Sequence, residues 1–170
     1  MITLKKARLL ALSIAVLAMP MFIVPMAAQA AVYGFNLGPP STSLNPSTGE
    51  TIRVTGGGTF DTTLGSVLAN GAYTISDASR KVTERGTWAA TAFGNFDALG
   101  GPNPGVQGGV LHITVTLFPH GGTPRTDVPV TVICPFEADE GVFDEADDAT
   151  IVGDFAVPTG GLTVFHLLQP

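Results

Sequence analysis

The chain has 170 residues, a formal net charge of −6 and a single cysteine, Cys134. One cysteine excludes an intramolecular disulfide framework. The acidic balance argues against nucleic acid and anionic membrane surfaces as partners, because phosphate would be repelled.

Residues 1–30 have the pattern of a secretory signal peptide. Lys5, Lys6 and Arg8 form a positive start, Leu9 to Val24 is apolar, and Ala28-Gln29-Ala30 supplies a small-x-small cleavage site. An uncleaved anchor is the competing reading, since the apolar run approaches spanning length. Pro20, Pro25 and the Ala-x-Ala ending favour cleavage, which predicts a mature start at Ala31 with no membrane span beyond it. Cleavage removes three of the eight basic residues. The remaining five stand against fourteen acidic ones, a balance of −9 over 140 residues. Such a length folds as one domain without staples. Export without disulfides or an Asn-x-Ser/Thr site (Asn45-Pro46-Ser47 is disqualified by its proline) points to a secreted or periplasmic, bacterial location.

The remaining chain reads as short strands between turn signals. Ala31 to Leu37 is a first strand, and Gly38 to Gly49 is rich in Pro, Ser and Thr, so residues 31–50 are expected to be a strand plus connector before an all-β domain at 51–170. Ile52 and Val54 alternate with polar neighbours, and Gly56-Gly57-Gly58 predicts a bulge or bend. Asn70-Gly71 carries a turn signal. Tyr73 and Ile75 share one face of the next strand, Asp77 to Lys81 is a polar turn, and Val82 to Phe93 is a long strand or strand pair. Gly94 to Gly109 holds six glycines and reads as a long flexible loop with Phe96 and Leu99 at its tip.

Gly109 to Pro119 is the clearest strand. Leu111, Ile113, Val115 and Leu117 alternate with His112, Thr114 and Thr116. His120 to Pro124 turns the chain into Val128 to Pro135, whose Pro129 means that the strand starts at, or lies along, a sheet edge. Thr150 to Val157 and Leu162 to Leu168 are expected to close the domain as a hairpin. With no helical periodicity after residue 30, the fold class is all-β: a single-domain β-sandwich or up-and-down β-barrel of about seven to nine short antiparallel strands. Sequential pairing leans toward the meander.

One internal echo stands out. Arg53-Val54-Thr55-Gly56-Gly57-Gly58-Thr59-Phe60 matches Lys81-Val82-Thr83-Glu84-Arg85-Gly86-Thr87-Trp88 as basic-Val-Thr-x-x-Gly-Thr-aromatic. It suggests a repeated hairpin unit in which glycine relieves a coiled strand and the aromatic plugs the core. Gly86-Thr87-Trp88 also resembles the Gly-x-Trp element of lipocalins. In that family the element sits on the first barrel strand, and the rest of the pattern is missing here, so the resemblance implies nothing further and Trp88 reads as a core residue.

Candidates for chemistry are few. The acidic run from Glu137 to Asp148 offers Asp139, Glu140, Asp144 and Asp147 as oxygen ligands for calcium in an irregular loop, although it fails the EF-hand spacing. His112, His120 and His166 are too far apart for a local metal motif. Cys134 falls in period with Val130 and Val132, which predicts a buried, inert thiol. Three functions follow as expectations. The first is a secreted, non-catalytic β-domain that binds a small ligand or a partner through a barrel interior or loops. The second is a structural, envelope-associated protein that self-assembles through an edge or Cys134. The third is a small enzyme drawing on Asp61, Glu84, Arg85, Asp154 and the histidines.

Overall fold

A computed structural model describes residues 31–103, 105–135 and 149–170. The segment read as a signal peptide lies outside these residues. The described residues contain nine strands and no helix: β1 (Val32–Leu44), β2 (Thr51–Asp61), β3 (Ser66–Ser76), β4 (Val82–Asn103), β5 (Val106–Pro119), β6 (Arg125–Cys134), β7 (Ala149–Val152), β8 (Val157–Gly160) and β9 (Thr163–Gln169). No helix among them is long and apolar enough to cross a membrane.

All pairings are antiparallel, and each strand from β1 to β6 pairs with the next, as the meander reading expects. Strand β9 then enters between β1 and β5, so β4-β3-β2-β1-β9-β5 returns to β4 as a ring. The ring is not a barrel. Only Val106↔His166 and Gln107↔Phe165 join β5 to β9, while β6 and β7 continue outward from β5 and β8 branches from β1.

Period-two alternation sends one side of each strand inward. Ile52, Val54, Tyr73, Ile75, Leu111, Ile113, Val115, Leu117, Val130, Val132 and Cys134 are all buried, as their spacing predicts. Phe60 stands at the centre of an aromatic cluster, with ring centroids 5.2 Å from Tyr33, 4.9 Å from Phe96 and 6.1 Å from Phe165. The void left in the core is about 10 Å³, roughly the minimum for one water.

Five local expectations are corrected. The Pro/Ser/Thr-rich stretch after Gly38 is not a connector, because β1 runs on to Leu44. Ser41 and Ser43 are small enough to pack inward, and the Ser43 hydroxyl donates to the Thr150 carbonyl of β7. Pro39 and Pro40 occupy the register shift between Leu37 and Ser41, where the ladder needs no donors from them. The bulge therefore falls on β1, opposite Thr55, while Gly56-Gly57-Gly58 stays in unbroken register with β3.

Asn70-Gly71 is mid-strand in β3, not a turn. A Cβ at Gly71 would press on the Thr55 carbonyl and come 2.5 Å from Trp88 Nε1, so glycine serves close approach here. The β2–β3 turn is made instead by Asp61, whose Oδ1 accepts the amides of Thr63 and Leu64 at 2.8 Å. The stretch expected as a long loop belongs to β4 and β5, paired from Gly86↔Pro119 to Asn103↔Val106. Phe96 is not at a tip but against Tyr33, Phe60 and Phe165, and Gly109 makes space beneath its ring. Finally, β8 and β9 do not form a hairpin with the preceding segment. Both pair with β1 in turn, along one edge broken at Gly160 and Gly161.

Candidate functional site

The outer face of the ring is where polar chemistry collects. Register alignment places Thr42, Arg53, Thr74 and Arg85 in one row crossing β1 to β4. The adjacent row carries Thr55, Ala72, Thr87 and Phe118 across β2 to β5. Alternation forces this arrangement, since Ile52, Val54, Tyr73, Ile75 and Gly86 on the same strands point inward and are buried. Arg53 and Arg85 sit two strands apart, about 10 Å at the backbone.

Part of this face is recessed. It holds an open groove of about 630 Å³ lined by Arg53, Arg80, Arg85 and the hydroxyls of Thr51, Thr55, Thr74 and Ser76. Arg80 reaches the groove from the β3–β4 turn, where it adopts φ of 67°. Of the five basic residues between 31 and 170, three line this groove and a fourth, Lys81, follows Arg80 in the turn. The guanidinium groups of Arg53, Arg80 and Arg85 make no ion pair with a described residue; the ion pair among those residues joins Arg125 to Glu84. Asp77 also borders the groove, but its carboxylate is engaged by its own turn. Oδ1 accepts the Ser79 hydroxyl at 2.6 Å and the amides of Ser79 and Lys81 at 2.9 Å. The Ser79 hydroxyl first, then the Lys81 amide, hold that carboxyl below its ordinary value.

A second cleft, of about 670 Å³, opens between β3, β4, β6 and the segment after β7. Glu84, Arg125, Asp127 and Asp154 line it. Here the Tyr73 hydroxyl donates to Glu84 Oε1 at 2.6 Å, and Arg125 pairs with the same oxygen. Burial first, and the Glu84 hydrogen bond second, push the Tyr73 phenol up to about 12. The phenol therefore stays protonated as a donor that fixes Glu84, rather than serving as a base at neutral pH.

The residues singled out from sequence are dispersed. Asp61 caps the β2–β3 turn, Glu84 and Asp154 face the second cleft, and Arg85 faces the groove on the opposite side of the sheet. His112 Nδ1 lies 3.0 Å from Thr131 Oγ1 on the neighbouring strand, whereas His166 pairs with Gly34 and Val106 at the ring's junction and His120 is in the β5–β6 turn. No group of three or more His, Cys, Asp or Glu suited to a metal occurs among the described residues. The calcium candidates Asp139, Glu140, Asp144 and Asp147 lie outside them. Cys134 is buried, as its spacing predicts.

Sequence reading weighed Arg85 only as enzyme material and passed over Arg53, Arg80 and Phe118. A usable signal was present. Four of the five basic residues beyond position 30 fall between residues 53 and 85, and Arg53 alternates with Ile52 and Val54, which turns it outward. No family model, curated protein or solved structure matches the chain.

Proposed function

We propose that this protein is an exported, non-catalytic β-domain that binds an anionic ligand on the outer face of β2 to β4. The carrying observation is the concentration of unpaired positive charge in one groove of a chain that is otherwise acidic. The filled core supports surface recognition over an interior cargo. The leader-like segment 1–30 supports export. A surface of this kind attracts its ligand locally, because at physiological salt the protein's other charges are screened beyond roughly 8 Å.

Fluorescence titration of the protein with labelled anionic polymers tests the reading. Polyglutamate, dextran sulfate and polygalacturonate are suitable probes, with neutral dextran as control. The expected result is binding to at least one polyanion that weakens with salt and falls about tenfold or more in Arg53→Ala/Arg85→Ala. Absence of binding to every polyanion, or binding that ignores both arginines, overturns it.

A further inference from the structure

Resting on that reading, we infer that the groove takes an acidic polysaccharide, a linear glycan with carboxylate-bearing sugars, lying across the strands. Three features on the outer face select this chemistry over other anions. The first is spacing. Arg53 and Arg85 are not adjacent but separated by Thr74, with Thr42 beyond Arg53 in the same row. A ligand satisfying that row turns a carboxylate toward the sheet about every 10 Å, with sugar hydroxyls between. Dense polyanions such as polyphosphate or nucleic acid would leave the threonines facing charge with only two or three cations to answer it.

The second is the adjacent row. Thr55 and Thr87 flank Ala72, a small residue that leaves room above it, and Phe118 ends the row 42% exposed. Phe118 stands opposite Thr87, beyond the groove's lining, and Arg85 lies two residues from Thr87 on the same face of β4. The exposed Phe118 ring suits the apolar C–H face of a sugar, while Thr87 and Arg85 take the hydroxyls and the carboxylate. The third is the donor type. Planar guanidinium forks match a carboxylate bidentately, and both row positions are arginine rather than lysine. The two rows run over four strands each, about 15 Å, which fits an extended chain and not a single small anion.

The test compares polygalacturonate, dextran sulfate, polyphosphate and single-stranded DNA against the protein and two variants, with self-association followed by sedimentation. The expected result is tightest binding to polygalacturonate, a loss of about tenfold in Phe118→Ala, and a larger loss in Arg53→Ala/Arg85→Ala. Phe118→Ala should leave the weaker dextran sulfate binding unchanged, since sulfate density needs no sugar stacking. The unfolding midpoint of each variant, expected to match the parent, separates lost contact from lost fold. Equal or tighter binding of polyphosphate or DNA overturns the glycan assignment, as does indifference to Phe118→Ala, while arginine-dependent anion binding as such would survive. No polyanion binding at all removes both readings. Concentration-dependent self-association abolished by the arginine variant would assign the groove to a second copy and overturn the glycan assignment.

Discussion

On the inner face of β2 to β4, Ile52, Val54, Phe60, Tyr73, Ile75 and Trp88 are buried and shaped to one another. On the outer face of the same strands, Arg53, Arg85, Thr87 and Leu68 reach into solvent, Leu68 at 77% exposure. The two faces alternate residue by residue, yet they answer to different physics. Inside, volume decides, because close packing penalises a missing methylene and an extra one alike. Outside, charge, reach and hydrogen-bonding type decide, and a single substitution costs the fold little.

That contrast breaks first at Phe60. Phe60→Ala removes the ring that five other aromatic residues contact, and it should cost about 3–5 kcal/mol in urea unfolding. A cost below about 1 kcal/mol would mean the cluster is not the packing centre. Next is Gly71→Ala, where the new Cβ meets the Thr55 carbonyl and the Trp88 indole. Overpacking should cost about 1–3 kcal/mol. It should also disturb the 3.0 Å hydrogen bond from Trp88 Nε1 to Thr55, visible as a shift in tryptophan fluorescence.

Tyr73 sharpens the comparison through pH. Its phenol ionises near 10 in the unfolded chain and about 12 in the fold. The native state therefore holds its proton longer, so this contribution is fully present below pH 10 and is lost as pH rises from 10 to 12. Tyr73→Phe should flatten the decline in unfolding midpoint over that window, and an unchanged slope would show that Tyr73 does not drive it. The smallest effect belongs to the outer face: Arg53→Ala should move stability by no more than about 0.5 kcal/mol, read by the same unfolding curves. A larger loss would show that the arginine holds the sheet and does not wait for a ligand.

The inner face was readable in the sequence because alternation reports it directly. Leu111 to Leu117 and Tyr73 with Ile75 are buried where their period places them. Glycine was harder to read. At Asn70-Gly71 and from Gly94 to Gly109 it looks like punctuation, but in the fold it clears space for Trp88 and Phe96 within continuous strands. Local composition cannot distinguish a turn from a close approach, since the partner sits far along the chain. The echo between residues 53–60 and 81–88 illustrates the same limit. Phe60 and Trp88 are both buried, and Gly58 and Gly86 both abut the carbonyl of a neighbouring strand (Leu68 and Phe118). Yet Arg53 and Arg85, which form the groove's row, occupy non-equivalent positions in the two copies. Their alignment comes from register, which pairwise spacing in one chain does not encode.

The junction of β1 with β9 carries a consequence in time. Val32 meets Gln169 and Phe35 meets Phe165, so the first described strand, paired early with β2, finds its second partner only after nearly all the other strands have been made. Loop-closure entropy must be met before that contact rewards it, which places the chain among slow-folding, high contact-order topologies. Until β9 arrives, the inner aromatic residues of β1 lack their second wall. A chain that has not yet placed β9 thus keeps one edge of β1 unpaired, open to chaperones, proteases or a stray strand.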